Sequence, residues 1–342
     1  MYWPTSKNER WFCSTMVVQA ILVLTLEIYN LVQWQSWVHP NATQVPISYS
    51  IPITLSLIMF SVVYEVLLCL DMVHHKNSIL LLAICISNGC VLIYSVLQYT
   101  FMETTTHTIQ DNRDFNLEPL VDINRDLWKE IQPAEVLVPI VVGLTTLVMF
   151  PVAYSVHSEF SWAIYQCVQG DLKSRYEYLG YEIYLVLNKF DFYYLVGFII
   201  QYNLVDVHFK EPEYSLTMAL IPAALLLMSL GAYFVRREYR VATIFIAICR
   251  LGVVAYLLSR IIILGGDLHY TTPGRALMFL FAVVALILSI LIVLCTIYCT
   301  LNFKQGLKSV FARKSQVAQR PFVFQQLPSH PDSIRNSGRS ID

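Results

Sequence analysis

The residues best suited to chemistry in this 342-residue chain lie where charge is least welcome, inside long apolar runs. They are Glu27, Asn30, Glu65, Lys189, Asp191, Asp206, Arg250 and Arg260. A charge at the centre of a bilayer costs about 2.5–3.5 kcal/mol on insertion scales, so such residues face other helices or a wet cavity. Their spacing groups them. Thr15, Gln19, Glu27, Asn30 and Gln33 fall within an arc of roughly 120° on a helix, and Thr54, Ser61 and Glu65 share a narrower one. Asn88 and Ser95 share a face, as do Lys189, Tyr193, Asn203 and Asp206, while Asp191 points nearly opposite to Lys189. Two readings of these stripes compete. In one they are interhelical glue that fixes helix order. In the other they line a path for an ion, a proton or a polar solute. Broken helices at matched positions in two halves would mark a transporter. Pro139, Pro151 and Pro222 do not form such a pair, which favours glue.

Depth along the runs predicts pairing. Glu65 and Lys189 stand at one level, and Glu27 stands between the levels of Arg250 and Arg260, either of which could neutralise it. Other chemistry is thinly supported. No GxSxG or HExxH motif occurs. His74-His75 lacks a third ligand nearby, and Gly265-Gly266-Asp267 is a turn with no GKS/T after it. Six cysteines (Cys69, Cys85, Cys90, Cys249, Cys295 and Cys299) lie in apolar runs and read as small buried hydrophobes. The expectation is no enzyme, no cofactor and no metal.

The elements that must position these residues are membrane spans. The chain is 56% hydrophobic and only 14% charged, against about 25% charged in a soluble domain. A net charge of -1 exerts no pull on nucleic acid. Crossing the hydrocarbon takes about 20 apolar residues. Candidates are 12–34, 51–70, 78–101, 136–156, 183–206, 216–235, 241–263 and 276–303, the fifth weakened by its charges. The first run is too long for a cleavable signal, and a Glu27–Asn30–Gln33 series stands where a cleavage site would be. The expected fold is an all-α polytopic bundle in lipid, with no repeat visible in the sequence.

Lysine and arginine set the orientation, because they are retained in the cytosol. With residues 1–11 inside, 15 of them fall in inside segments and 5 outside, so both termini are expected in the cytosol. Asn41-Ala42-Thr43 is then a glycosylation sequon on the lumenal side. The lumenal segment 102–135 carries eight acids and three basic residues. Leu117, Leu120, Val121, Leu127, Trp128 and Ile131 predict a short amphipathic helix there, capped by Asn116, stopped by Pro133 and covering span ends. Aromatic residues Phe160, Trp162, Tyr165, Tyr176, Tyr178 and Tyr181 predict an interfacial anchor on the cytosolic side. Residues 304–342 read as a disordered cytosolic tail. Protein partners, if recruited, would meet this tail or the 102–135 segment.

Leu187-Asn188-Lys189-Phe190-Asp191-Phe192-Tyr193-Tyr194, followed by Gly197-Phe198 and Gln201, resembles a run in an uncharacterised fungal multi-pass Golgi apparatus membrane protein family. The Arg236-Arg237-Glu238 turn and Gly274-Arg275 add to the likeness, which spans most of residues 10–303. The resemblance implies an endomembrane address and brings no activity with it. A structural, sorting or scaffolding role is the leading expectation. The alternative is a transporter of a small solute or proton. An even span count argues against a seven-helix receptor.

Overall fold

A computed structural model describes residues 6–39, 46–111, 119–122, 125–167, 172–207, 213–266, 274–301 and 303. Among them the secondary structure is helical, apart from an isolated antiparallel bridge between Val38 and Val121. The helices are α1 (Lys7–Trp37), α2 (Pro46–His75), α3 (Ser78–Asp111), α4 (Leu127–Cys167), α5 (Leu172–Gln201), α6 (Glu213–Met218), α7 (Leu220–Arg237), α8 (Arg240–Gly265) and α9 (Arg275–Leu301). A π-helical turn, Tyr202–Val207, extends α5. Eight segments are long and apolar enough to cross a membrane, with α6 and α7 together supplying the sixth. Pro222 explains the break at Ala219, since it has no N–H to offer the Met218 carbonyl.

The helices form two rings of four. In the first, α1 packs on α2, α2 on α3, α3 on α4, and α4 back on α1. In the second, α5 packs on α7, α7 on α8, α8 on α9, and α9 back on α5. The rings meet where α5 and its π-turn reach α2 and α3, and where α9 reaches α3. This common order is an architectural repeat that the residue pattern does not betray. Each ring also closes its second helix in the same way. Lys76 and Glu238 both adopt the left-handed conformation (φ 51° and 58°). The next N–H then reaches back five residues, Asn77 to Met72 O and Tyr239 to Phe234 O, each at 3.1–3.2 Å. Asn77 goes on to cap α3, its Oδ1 accepting from the N–H groups of Ile79 and Leu80.

The fifth span, the weakest by hydropathy, is the most enclosed. Two-thirds (67%) of its apolar window is buried, against 17% in the sixth. Its charges are tolerated because protein surrounds it. Two glycines let its neighbours approach. A Cβ at Gly197 would stand 2.4 Å from Phe281 Cε1 on α9, and one at Gly231 of α7 would stand 2.3 Å from Tyr184 Oη. Small residues at such crossings are how helices pack closely in lipid. The outer faces carry bare Leu144, Leu147, Phe245 and Ile262, as a lipid solvent requires.

At the face opposite Ser6, the segment before α4 is stitched to the end of α1. His39 N bonds Leu120 O, Asp122 N bonds Trp37 O, and Trp37 Nε1 donates to the Asp122 and Arg125 carbonyls at 3.0 and 3.1 Å. Arg125 donates to Ser36, Gln33 and Glu130. The helix expected between Asn116 and Pro133 is replaced. Leu120 and Val121 are not helical, Val121 being bridged to Val38; α4 starts at Leu127 and runs through Pro133, Pro139 and Pro151. The apolar residues themselves do cover span ends. Leu120, Val121, Leu127, Trp128 and Ile131 form one buried cluster with Trp34, Trp37, Ile51 and Met102. Asn116 and Leu117 lie outside the described residues, as do Asn41 and 304–342. So do the side chains of Trp162, Tyr165, Tyr176 and Tyr178. Phe160 and Tyr181 are buried in the protein.

Candidate functional site

The intramembrane polar residues assemble into separate nodes, each joining different helices. In the first ring, α1 contributes Glu27 and Asn30, α3 contributes Gln98, and α4 contributes Glu135, all at most 1% exposed. Gln98 Nε2 donates to both Glu27 oxygens (3.0 and 3.2 Å) and lies 3.5 Å from Glu135 Oε2. Asn30 Nδ2 donates to Glu135 Oε1 at 2.9 Å. Nearer the N-terminal face, Gln19 Nε2 bonds Asn88 Oδ1 (2.6 Å), and Asn88 Nδ2 bonds Thr146 Oγ1 (2.8 Å), again linking α1, α3 and α4. Glu65 of α2 accepts from Ser87 of α3 at 2.6 Å.

The other nodes lie within the second ring or join the two. Arg250 of α8 donates to Asp191 (2.5 Å) and Asn188 (2.8 Å) of α5, and Ser289 of α9 donates to Asp191 at 2.6 Å. The guanidinium and the carboxylate are both buried. Lys189 reaches across to Asp71 of α2 at 2.5 Å, and Asp71 also meets His75. Tyr64 Oη donates to the Lys189 carbonyl (2.7 Å), and Ser61 bonds Tyr193. Arg260 lies over the rings of Tyr202 and Tyr256 and donates to Tyr202 Oη at 2.8 Å.

Two expected pairings are therefore corrected. Lys189 binds Asp71 and leaves Glu65 to Ser87; Asp71 sits nearer the membrane edge, within reach of a long lysine stem. Neither Arg250 nor Arg260 neutralises Glu27, because both arginines are taken up by the second ring. Glu27 belongs instead with Gln98, beside Glu135. Asp191 does point away from Lys189, and its partner is Arg250. The Asp206 side chain lies outside the described residues. Sequence reasoning missed Asp71 and Glu135 because each sits one residue beyond a span drawn to end at the first charge. Gln98 carried a usable signal, falling on one helical face with Asn88 and Ser95.

Among the described residues, no Lys, Arg or His nitrogen is ion-paired to Glu27, Glu65 or Glu135. Nor do three His, Cys, Asp or Glu side chains come together as a metal group there. Just before α4, Asp126 accepts from Lys129 at 2.9 Å, which holds its carboxyl below the usual range.

Eight apolar helices with their charges turned inward define a polytopic α-helical membrane protein. The chain is similar to a UPF0658 Golgi apparatus membrane protein of Schizosaccharomyces pombe, 23% identical over 317 residues that cover 88% of this chain and 89% of that one. The match extends the resemblance seen around Lys189 to nearly the whole length, and with it the address of an integral Golgi membrane protein. No family model matches the chain, and no solved structure does.

Proposed function

We propose that the protein is a non-enzymatic scaffold of the Golgi membrane. It would be a rigid eight-helix body, both ends in the cytosol, that holds partners through its 102–135 segment or its tail. One observation carries this reading. The intramembrane cations are engaged in helix–helix contacts, Lys189 with Asp71, Arg250 with Asp191 and Arg260 with Tyr202. Charges consumed in this way fix helix order. A second reading, transport of a proton or small solute, is favoured by Glu27, Glu65 and Glu135, buried acids with no cationic partner among the described residues.

The test is reconstitution into sealed liposomes, with proton and solute flux compared between the parent and Glu65→Gln. Background flux from both, with normal folding, supports the scaffold. Flux from the parent that Glu65→Gln abolishes would establish transport in its place. Protease-accessible tags at the two termini check the orientation, and appearance on opposite faces of sealed vesicles refutes it.

A further inference from the structure

We propose that Cys13 of α1 and Cys69 of α2 form a redox-active dithiol, a site of oxidative modification that closes to a disulfide between the first two helices. The proposal goes beyond the scaffold reading and does not depend on it. The two cysteines are 56 residues apart in sequence and free, and their thiols face each other across the α1–α2 contact with the sulfurs 3.3 Å apart. A disulfide measures about 2.03–2.05 Å, so closure takes roughly 1.3 Å of approach between atoms that already touch. No other contact is given up, because the hydrogen bond between the sulfurs is what the covalent bond replaces. Spacing along a helix does not give this. Cys295 and Cys299 stand one turn apart on α9. Residues at i and i+4 hold their Cβ atoms about 5–6 Å apart, beyond the roughly 3.5–4.5 Å that a disulfide spans. Cys295 also donates to the Gly180 carbonyl at 3.4 Å.

Exposure assigns the roles. Cys13 is partly exposed and Cys69 is buried. Redox-sensing thiols pair an accessible sulfur with a resolving partner beside it. Both stand near the N-terminal face, Cys13 six residues after Lys7 and Cys69 six before His75, which is about 9 Å along each helix. The oxidant is a hydroperoxide. Hydrogen peroxide converts the Cys13 thiol to the sulfenic acid and leaves as water. Cys69 Sγ then attacks the Cys13 sulfur and expels a second water. Overall, two S–H bonds and the O–O bond break and one S–S bond forms. The two sulfurs give up two electrons, which reduce the peroxide to water. A dithiol reductant reverses the closure by thiol–disulfide exchange. The closed bridge ties α1 to α2 within the apolar cluster that holds Phe12, Met16 and Met72, at one corner of the first ring.

The experiment exposes full-length, fully reduced protein in detergent to hydrogen peroxide, alkylates the remaining thiols, and reads the digest by mass spectrometry before and after dithiothreitol. One peptide pair joining Cys13 to Cys69 is expected, two hydrogens lighter than the reduced pair and released by dithiothreitol. Cys13 should become resistant to alkylation about ten-fold faster than Cys249 and Cys295, which are also partly exposed. In Cys69→Ala, Cys13 should stop at the sulfenic acid and be trapped by dimedone. The reading on the parent stands whether or not that variant folds. Three results overturn the proposal: Cys13 and Cys69 both still alkylated at the rate of Cys249, sulfinic acid at Cys13 with Cys69 still free, or a bridge that joins Cys13 to a second chain.

Discussion

Removing Asp191 should destabilise the protein, and removing Asp191 and Arg250 together should cost less than the single losses lead one to expect. The guanidinium of Arg250 is among the largest fully buried side chains, and its charge is answered by Asp191 at 2.5 Å. Asp191→Ala leaves that charge with only the Asn188 carbonyl oxygen as an acceptor of those described above. Losing one partner of a buried pair costs about 3–5 kcal/mol in soluble proteins. A lone arginine at mid-bilayer costs about 2.5–3.5 kcal/mol on insertion scales. Both figures predict a loss near 3 kcal/mol for Asp191→Ala, and Arg250→Met should lose a comparable amount by stranding the carboxylate with Ser289. The double variant removes both charges and keeps only a packing defect. Its stability should exceed the sum of the single losses by about 2 kcal/mol, roughly thirty-fold in the folded-to-unfolded ratio. Reversible unfolding in mixed micelles, followed by tryptophan fluorescence, gives all three values. Additive single losses would show that the pair carries no coupling and that the reasoning fails.

Three further outcomes are expected. Lys189→Gln and Asp71→Asn should couple by about 0.5–1 kcal/mol, because both side chains are 30% exposed, whereas Lys189→Gln and Glu65→Gln should add independently; thermal melts of the two cycles decide. Gly197→Ala should cost about 1–3 kcal/mol of stability by overpacking and so lower the melting midpoint, and Phe281→Leu should recover part of it; no change in midpoint would mean that α5 and α9 are further apart than described. Glu238→Gly should raise stability by about 0.5–1 kcal/mol by relieving its left-handed backbone, and a lower midpoint would contradict that geometry.

Hydropathy alone fixed the number of crossings, because lipid demands an unbroken apolar stretch for each helix and leaves little room for another solution. It also picked out Glu27, Asn30, Lys189, Asp191, Arg250 and Arg260 as inward-facing, since none could be left in hydrocarbon. The pattern around 120–131 rightly marked residues that cover the span ends, but it mistook their backbone. Leu120 and Val121 reach the same cluster from a non-helical segment bridged to the end of α1. Partners were beyond reach for a physical reason. Periodicity gives a residue's direction on its own helix and a coarse depth, whereas pairing depends on which helices adjoin. The two-ring order set α8 across the second ring from α5, which brought Arg250 to Asp191, and packed α1 on α4, which left Glu27 beside Glu135. The amino-acid order thus dictated the solvent and the inward faces, and the packing of eight helices decided which charges cancel and which acids stay uncompensated.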